Sequence, residues 1–222
     1  MRVLVGPDVP LPELYAVPAE PWLRVNMVAT VDGAATGEGG TSRSINNDAD
    51  QAVFDLLRSQ ADVLVVGAGT LRDEGYAPNR LPIVAVTRSA SVPPTLAEVE
   101  PGRLLLATTA HAEGLDRARA LLGEEHVLVL GSHRVDLAAL RTTLVERGFR
   151  RILSEGGPHL LRDLLDQGCA DEVCVTTVPR MIGGTHPRIT DGPPLDVPLT
   201  LHSLVEEGGT LLARWFVERS VS

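Results

Sequence analysis

Along this chain, short unbroken apolar runs alternate with stretches in which apolar residues recur every three or four positions. The first kind reads as buried strand, the second as amphipathic helix. Strands are predicted at Trp22–Val31, Ala61–Val66, Leu81–Val86, Arg103–Thr108 and Val127–Leu130, in the run that ends with Ile152 and Leu153, and at Glu172–Pro179. Helices are predicted from about Asp48 to Gln60, capped by Asn46 or Asn47 with Ala52, Val53, Leu56 and Leu57 on one face, and at Leu115–Leu122. Two more run from the cap Asp136 to about Arg147, and onward from Pro158, where Leu160, Leu161, Leu164 and Leu165 fall at helical spacing. Strands that alternate with helices require a mainly parallel sheet covered on both faces. Leu199–Glu206 and Thr210–Glu218 are joined too tightly for a parallel crossover and pair as an antiparallel hairpin around Gly208-Gly209, which makes the sheet mixed. Residues 1 to about 21 are Pro-rich and read as an extended lead-in with a short strand at Arg2–Val5; residues 22–222 read as one domain.

The pattern is organised around residues 150–165, RRILSEGGPHLLRDLL. A strand that ends in a double glycine and opens a helix presents backbone N–H groups at a positive helix end, a general solution for holding phosphate or pyrophosphate. An ordinary strand-to-helix turn has the same pattern. Pro158 suits the first helical turn, and Glu155 projects from the carboxyl end of the strand, where open α/β sheets bind ligands. Gly67-Ala68-Gly69, after VLVV, is a second such turn, and Gly131, after VLVL, a third candidate. Gly67-Ala68-Gly69 lacks both the third glycine of the dinucleotide fingerprint and the acidic residue about 20 positions later. In that region stands Thr87-Arg88-Ser89, an arginine flanked by two hydroxyls, which suits a 2′-phosphate and so NADP(H) rather than NAD(H). A solvated loop arginine is the plain alternative.

Composition narrows the chemistry. All 20 basic residues are arginine, so Schiff-base chemistry, pyridoxal phosphate attachment and a P-loop lysine are excluded, and any phosphate falls to arginine, backbone N–H or hydroxyl groups. The net charge of −9, with no basic cluster interleaved by aromatics, argues against a nucleic-acid surface. No apolar run approaches the ~20 residues of a membrane span. The N-terminus, broken by Pro and Asp, does not read as a signal peptide, so a cytoplasmic location is expected. Cys169 and Cys174 have no metal or redox spacing and the six histidines lie singly, so no metal is expected. With only 3% aromatic residues, Val, Leu, Ala and Ile must build the core.

The ordered set NMVATVDG at 26–33, VVGAGT at 65–70, SEGGP at 154–158 and DEV…PRMIGG between 171 and 184 resembles the pyrimidine reductases of riboflavin biosynthesis. That family forms the C-terminal domain of the bacterial bifunctional deaminase-reductase and a separate chain in archaea. The resemblance runs from about Trp22 to Val217 and looks closest to stand-alone actinobacterial members; zinc-deaminase motifs are absent. It implies a dihydrofolate-reductase-like three-layer α/β sandwich, with a mixed, mostly parallel sheet, helices on both faces and a C-terminal antiparallel hairpin. It also implies NADPH as cofactor, a phosphorylated pyrimidine as substrate and a homodimer. Residue by residue, it places Ala29, Thr70 and Glu74 near the nicotinamide and its ribose, and the stretch Gly156, Gly157, Pro158, His159 and Leu160 around the pyrophosphate. Thr87 and Arg88 fall at the adenosine end. Asn26, Ser42, Arg58 and Glu155 fall where the family holds its substrate, Arg58 as a phosphate anchor. Three departures stand out: Asn26 replaces the lysine of the bifunctional enzymes, Arg72–Pro78 replaces a segment that grips the substrate phosphate, and Ser44 replaces a tryptophan beside the nicotinamide.

The reaction so implied opens a ribosylamino group to an imine and delivers hydride to its C1′, giving the ribitylamino compound. Asp32, at a strand end, is the candidate acid or electrostatic partner; it needs burial to raise its pKa, and a simple Asp-Gly turn is the alternative. Glu155 is the second catalytic candidate, either orienting substrate hydroxyls or capping its own glycine loop. Reduction of dihydrofolate or another pterin, and a non-catalytic NADP-binding protein, stay open as other functions.

Overall fold

The computed structural model describes residues 1–77, 80–100 and 102–218. Its strands are β1 (Arg2–Val5), β2 (Trp22–Thr30), β3 (Val63–Gly67), β4 (Ile83–Val86), β5 (Leu104–Thr108), β6 (Val127–Val129), β7 (Arg151–Ser154), β8 (Glu172–Val178), β9 (Leu199–Glu207) and β10 (Thr210–Val217). The helices are α1 (Leu11–Leu14), α2 (Asp48–Gln60), α3 (Ala68–Asp73), α4 (Leu115–Leu122), α5 (Leu137–Glu146) and α6 (Pro158–Asp166). All ten strands join one sheet in the order β1-β9-β10-β8-β2-β7-β3-β4-β5-β6. From β8 to β6 every pairing is parallel, and the β10 side is antiparallel.

The unbroken apolar runs are explained by burial on both faces. In β3, Leu64 and Val66 enter one core with α2, α3 and α4, while Val63 and Val65 enter a second core with α5 and α6. This is the mixed, mostly parallel three-layer sandwich that the sequence predicts. Helix starts follow the capping rule: Asn47 Oδ1 accepts the Asp50 N–H at 3.1 Å, and Asp136 Oδ1 accepts the Ala139 N–H at 2.8 Å. The closing hairpin turns through Gly208 and Gly209, both at positive φ as a tight primed turn demands. Before Trp22, β1 pairs with the edge of β9, and α1 sets Leu14 and Tyr15 into the core. The helix after Gly67 is not predicted: α3 has six residues, too few to show a period, and it is anchored by fully buried Leu71.

Candidate active site

The chain runs from β2 to β3, outward to β6, then returns to insert β7 between β2 and β3. Strand order therefore reverses at β7, and its carboxyl end opens a crevice of the kind that binds ligands in open α/β sheets. SEGGP knots this point. The Gly67 N–H donates to the Gly156 carbonyl at 2.8 Å, the Gly157 N–H donates to Thr70 Oγ1 at 2.9 Å, and a cis peptide joins Gly156 to Gly157. Gly156 stands at φ 77°, and a Cβ there would lie 2.7 Å from Met27 Sδ, so a side chain would be strained and would force Met27 to shift. The knot divides two clefts of roughly 780 and 910 Å³ that share a wall of Thr70, Asp73, Gly157, Pro158, His159 and Asp191.

The smaller cleft gathers Glu155, Arg58, Ser42 and Asn26, the residues expected to hold substrate. Arg58 grips Glu155 with two bonds, Nε to Oε1 at 2.6 Å and Nη2 to Oε2 at 2.7 Å, and its Cζ lies 4.1 Å over the Phe54 ring. Tyr76 donates its hydroxyl to Glu155 Oε2 at 2.6 Å. Burial opposes the charge on Arg58, but the bond and charge of Glu155 outweigh it and raise the guanidinium pKa. Burial, then the Glu155 charge, pushes the Tyr76 phenol well up. Arg58 is thus not an open phosphate anchor; its fork is spent on Glu155. Arg43 also lines this cleft, is exposed, and has no bonding or ion partner among the described residues. Asp50 and Asn26 lie deeper, 4% and 8% exposed, and the Oδ1 atom of each has no hydrogen-bond partner among the described residues. Burial raises the Asp50 pKa, with Thr176 partly offsetting it.

The larger cleft is lined by Gly67, Gly69, Thr87, Arg88 and the first turn of α6. Pro158 has no N–H and no side chain caps α6, so the N–H groups of His159 and Leu160 are left without an intrahelical acceptor. Arg72, Arg134 and Arg162 reach this cleft but are paired with Asp73, Asp163 and Asp166. Arg88 has no such partner among the described residues, and beside it the Thr87 and Ser89 hydroxyls stand 3.3 Å apart. The arrangement fits an anionic, extended cofactor: helix N–H groups at one end, an open guanidinium between hydroxyls at the other.

Several expected residues fall elsewhere. Asp32 is exposed, lines neither cleft, and is ionised rather than raised. The Thr30 hydroxyl bond first, then the Gly183 and Ile182 N–H groups, hold its pKa at about 2, so it ties down a loop and cannot act as an acid near neutral pH. Ala29 is buried outside both clefts, and Gly156 is consumed inside the knot. Gly131 turns the chain at positive φ, with the Arg134 carbonyl where a Cβ would be, and touches neither cleft. Glu74 lies in the smaller cleft, accepting the Ser42 N–H at 2.7 Å, rather than in the larger one. Within the altered segment Arg72–Pro78, Pro78 lies outside the described residues. Sequence reasoning missed Tyr76, Arg43 and Asp50. Only Asp50 carried a signal, being an acid that shares the buried face of α2 with Val53 and Leu57.

The sequence profile of the RibD C-terminal domain matches residues 21–219. A protein of Archaeoglobus fulgidus named 2,5-diamino-6-ribosylamino-4(3H)-pyrimidinone 5′-phosphate reductase is 29% identical over 191 residues, 78% of this chain and 87% of that protein. An Aquifex aeolicus protein of the same name is 25% identical over 222 residues, 90% of this chain and 98% of that one. Among solved structures, a pyrimidine reductase-like protein from Corynebacterium diphtheriae has a TM-score of 0.76 at 23% identity, covering 90% of this chain and 93% of its own. A riboflavin biosynthesis reductase from Saccharomyces cerevisiae has a TM-score of 0.69 at 16% identity, covering 94% of this chain and 95% of its own.

Proposed function

The chain belongs to the RibD C-terminal domain family, and from that premise we propose that it is an NADPH-dependent reductase of 2,5-diamino-6-ribosylamino-4(3H)-pyrimidinone 5′-phosphate. The observation that carries this reading is the pair of clefts meeting across Thr70 and Gly157, one lined by a phosphate-type helix start and an open Arg88, the other by paired polar side chains. NADPH, when bound, supplies the hydride that reaches C1′ of the opened sugar. Arg88, Thr87 and Ser89 hold the adenosine end with its 2′-phosphate, and the N–H groups of His159 and Leu160 hold the pyrophosphate. Gly157 lets the backbone pack onto Thr70, since a Cβ there would meet Thr70 Oγ1 at 2.5 Å.

In the smaller cleft, Arg58 and Tyr76 fix Glu155 in one orientation, so its remaining lone pairs face the sugar chain as acceptors. Arg43, the cation of this cleft without a partner among the described residues, takes the substrate phosphate, with the Ser42 hydroxyl beside it. It thereby stands in for the grip lost with the altered segment Arg72–Pro78. The test is loss of NADPH absorbance with the ribosylaminopyrimidinone phosphate and with dihydrofolate in parallel. Turnover of the first alone is expected. Turnover of dihydrofolate alone, or of neither while NADPH still binds, overturns the reading.

A further inference from the structure

Two motifs that the reaction leaves unused meet outside both clefts. VDG, just past the end of β2, and PRMIGG, just past the end of β8, are joined by Asp32. Its Oδ2 accepts the Ile182 N–H at 3.0 Å and the Gly183 N–H at 2.7 Å, and its Oδ1 accepts the Thr30 hydroxyl. Three more bonds close the same clasp. The Val31 N–H donates to the Arg180 carbonyl at 2.9 Å, Arg180 Nη1 to the Ser44 carbonyl at 2.6 Å, and the Ala35 N–H to the Pro187 carbonyl at 2.8 Å. Residues 33–46 and 180–187 are thereby tied to each other along their length.

Residues 179–198, between β8 and β9, form a strap with neither helix nor strand. Connections that long in a compact domain usually carry function. Beyond the clasp the strap crosses from one cleft to the other: Pro187 lines the smaller, Gly192 and Pro193 the larger, and Asp191 both. It comes to rest on the first turn of α6, the turn assigned above to the pyrophosphate. There the Asp191 N–H donates to the Pro158 carbonyl at 3.3 Å, the Asp191 carbonyl lies 3.0 Å from His159 Nδ1, and Arg162 Nε donates to the Pro193 carbonyl at 3.3 Å. The segment tied to the strap lines the smaller cleft, through Ala35, Thr36, Ser42 and Arg43, and not the larger. A contiguous set of bonds therefore runs from the α6 turn, along the strap, to the loop that carries Arg43.

We propose that Asp32 is a positioning residue: by clasping the strap to residues 33–46, it makes a ligand in the larger cleft order the wall of the smaller one. This rests on the reductase reading above and adds regulation to that site, with bound cofactor tightening the grip on substrate. The physical cause is conformational entropy. The strap is largely exposed, and exposed irregular segments open locally at little cost. The ligand that first fixes the strap meets the ordering cost for both clefts, so the second ligand binds more tightly, and linkage makes the effect reciprocal.

The probe is 2′-phospho-ADP-ribose, which fills the larger cleft but has no nicotinamide ring to touch a substrate. When it binds wild type, amide hydrogen exchange at residues 33–46 is expected to slow about 10-fold, and calorimetry is expected to show a substrate Kd about 10-fold lower. Asp32→Ala and Arg180→Met should each bind the probe within about threefold of wild type, since neither residue lines that cleft, and should lose both effects. Asp32→Asn keeps an oxygen for the Ile182 and Gly183 N–H groups and should restore most of the coupling, a rescue that a general loss of stability would not give. Unchanged exchange at residues 33–46 in wild type, or coupling that survives in both Asp32→Ala and Arg180→Met, overturns the proposal. If Asp32→Ala does not fold, Arg180→Met decides. If the probe does not bind wild type, the cofactor reading has failed, and exchange of the free proteins decides the clasp. Asp32→Ala must then release residues 33–46 and 180–193 together, and release of one alone, or of neither, overturns it.

Discussion

Two buried carboxylates divide the labour of this molecule. Glu172, at the start of β8, is fully buried and surrounded: Arg214 donates to Oε1 at 2.6 Å and to Oε2 at 3.2 Å, Arg24 lies 2.9 Å from Oε2, and Trp22 Nε1 donates at 2.8 Å. The same arginines reach the carbonyls of Leu14 and Tyr15, so the cluster staples the N-terminal segment to the sheet. Asp50, which lines the smaller cleft, is nearly as buried, but its Oδ1 has no hydrogen-bond donor among the described residues. Burial raises both pKa values; around Glu172 the charges and bonds of Arg24 and Arg214 outweigh it and the net shift is downward, whereas Asp50 stays raised. A buried charge whose partners all belong to the fold is architecture. One whose partner is missing is where a ligand is expected.

The largest effect should come from breaking the architectural cluster. Arg214→Met leaves Glu172 with one cation fewer in a dry interior and should cost about 3–5 kcal/mol in chemical denaturation, with kcat of the folded fraction nearly unchanged. Activity lost at undiminished stability would erase the distinction between the two regions. Next comes the paired acid of the cleft. Glu155→Gln sets an amide N–H₂ against the donors of Arg58 and Tyr76, and should lower kcat/KM roughly 100-fold, about 2.7 kcal/mol, through misplaced groups. Smaller again, Arg43→Gln should raise KM about 10-fold at little change in kcat, the mark of lost uniform binding. Because Arg43 is exposed, the difference from wild type should shrink in high salt. A kcat effect that salt does not touch would move Arg43 from phosphate binding to chemistry.

The sequence made the scaffold readable because its signals are local. Double-sided burial leaves unbroken apolar runs, Asn47 and Asp136 mark helix starts, and the SEGGP turn marks the centre of the sheet. The clefts were readable as far as their glycines and Arg88. What stayed hidden depends on contacts far apart in the chain. Asp32 reads as an active acid until the N–H groups of Ile182 and Gly183, about 150 positions away, turn it into a loop tether. Arg58 reads as a phosphate anchor until Glu155, 97 positions on, takes both arms of its fork. Tyr76 sits in a segment that reads as a loss, yet it supplies the third donor to Glu155. Partners of this kind are set by tertiary packing, and no spacing rule announces them.

The smallest effect is the most diagnostic, because the two carboxylates should respond to pH with opposite sign. Burial raises the folded pKa of Asp50 above its unfolded value. Below the unfolded value, near pH 3.9, the group is protonated in both states and costs nothing; as pH rises through the folded value the burial penalty appears and then levels off. Asp50→Asn should therefore match wild type in acid and become the more stable protein toward neutral pH, by a Tm gain of a few degrees, with roughly 1 kcal/mol corresponding to about 2–4 °C in a chain of this length. The net downward shift of Glu172 works the other way: its stabilisation is present above the unfolded value and is lost as pH falls through the folded one, so Glu172→Gln should be the weaker protein at neutral pH and close the gap in acid. Thermal unfolding of the two variants from about pH 2 to pH 8 gives diverging curves if Asp50 is held at a cost to the fold. Curves that fall together as pH rises would mean that Asp50 is paired and stabilising, like Glu172.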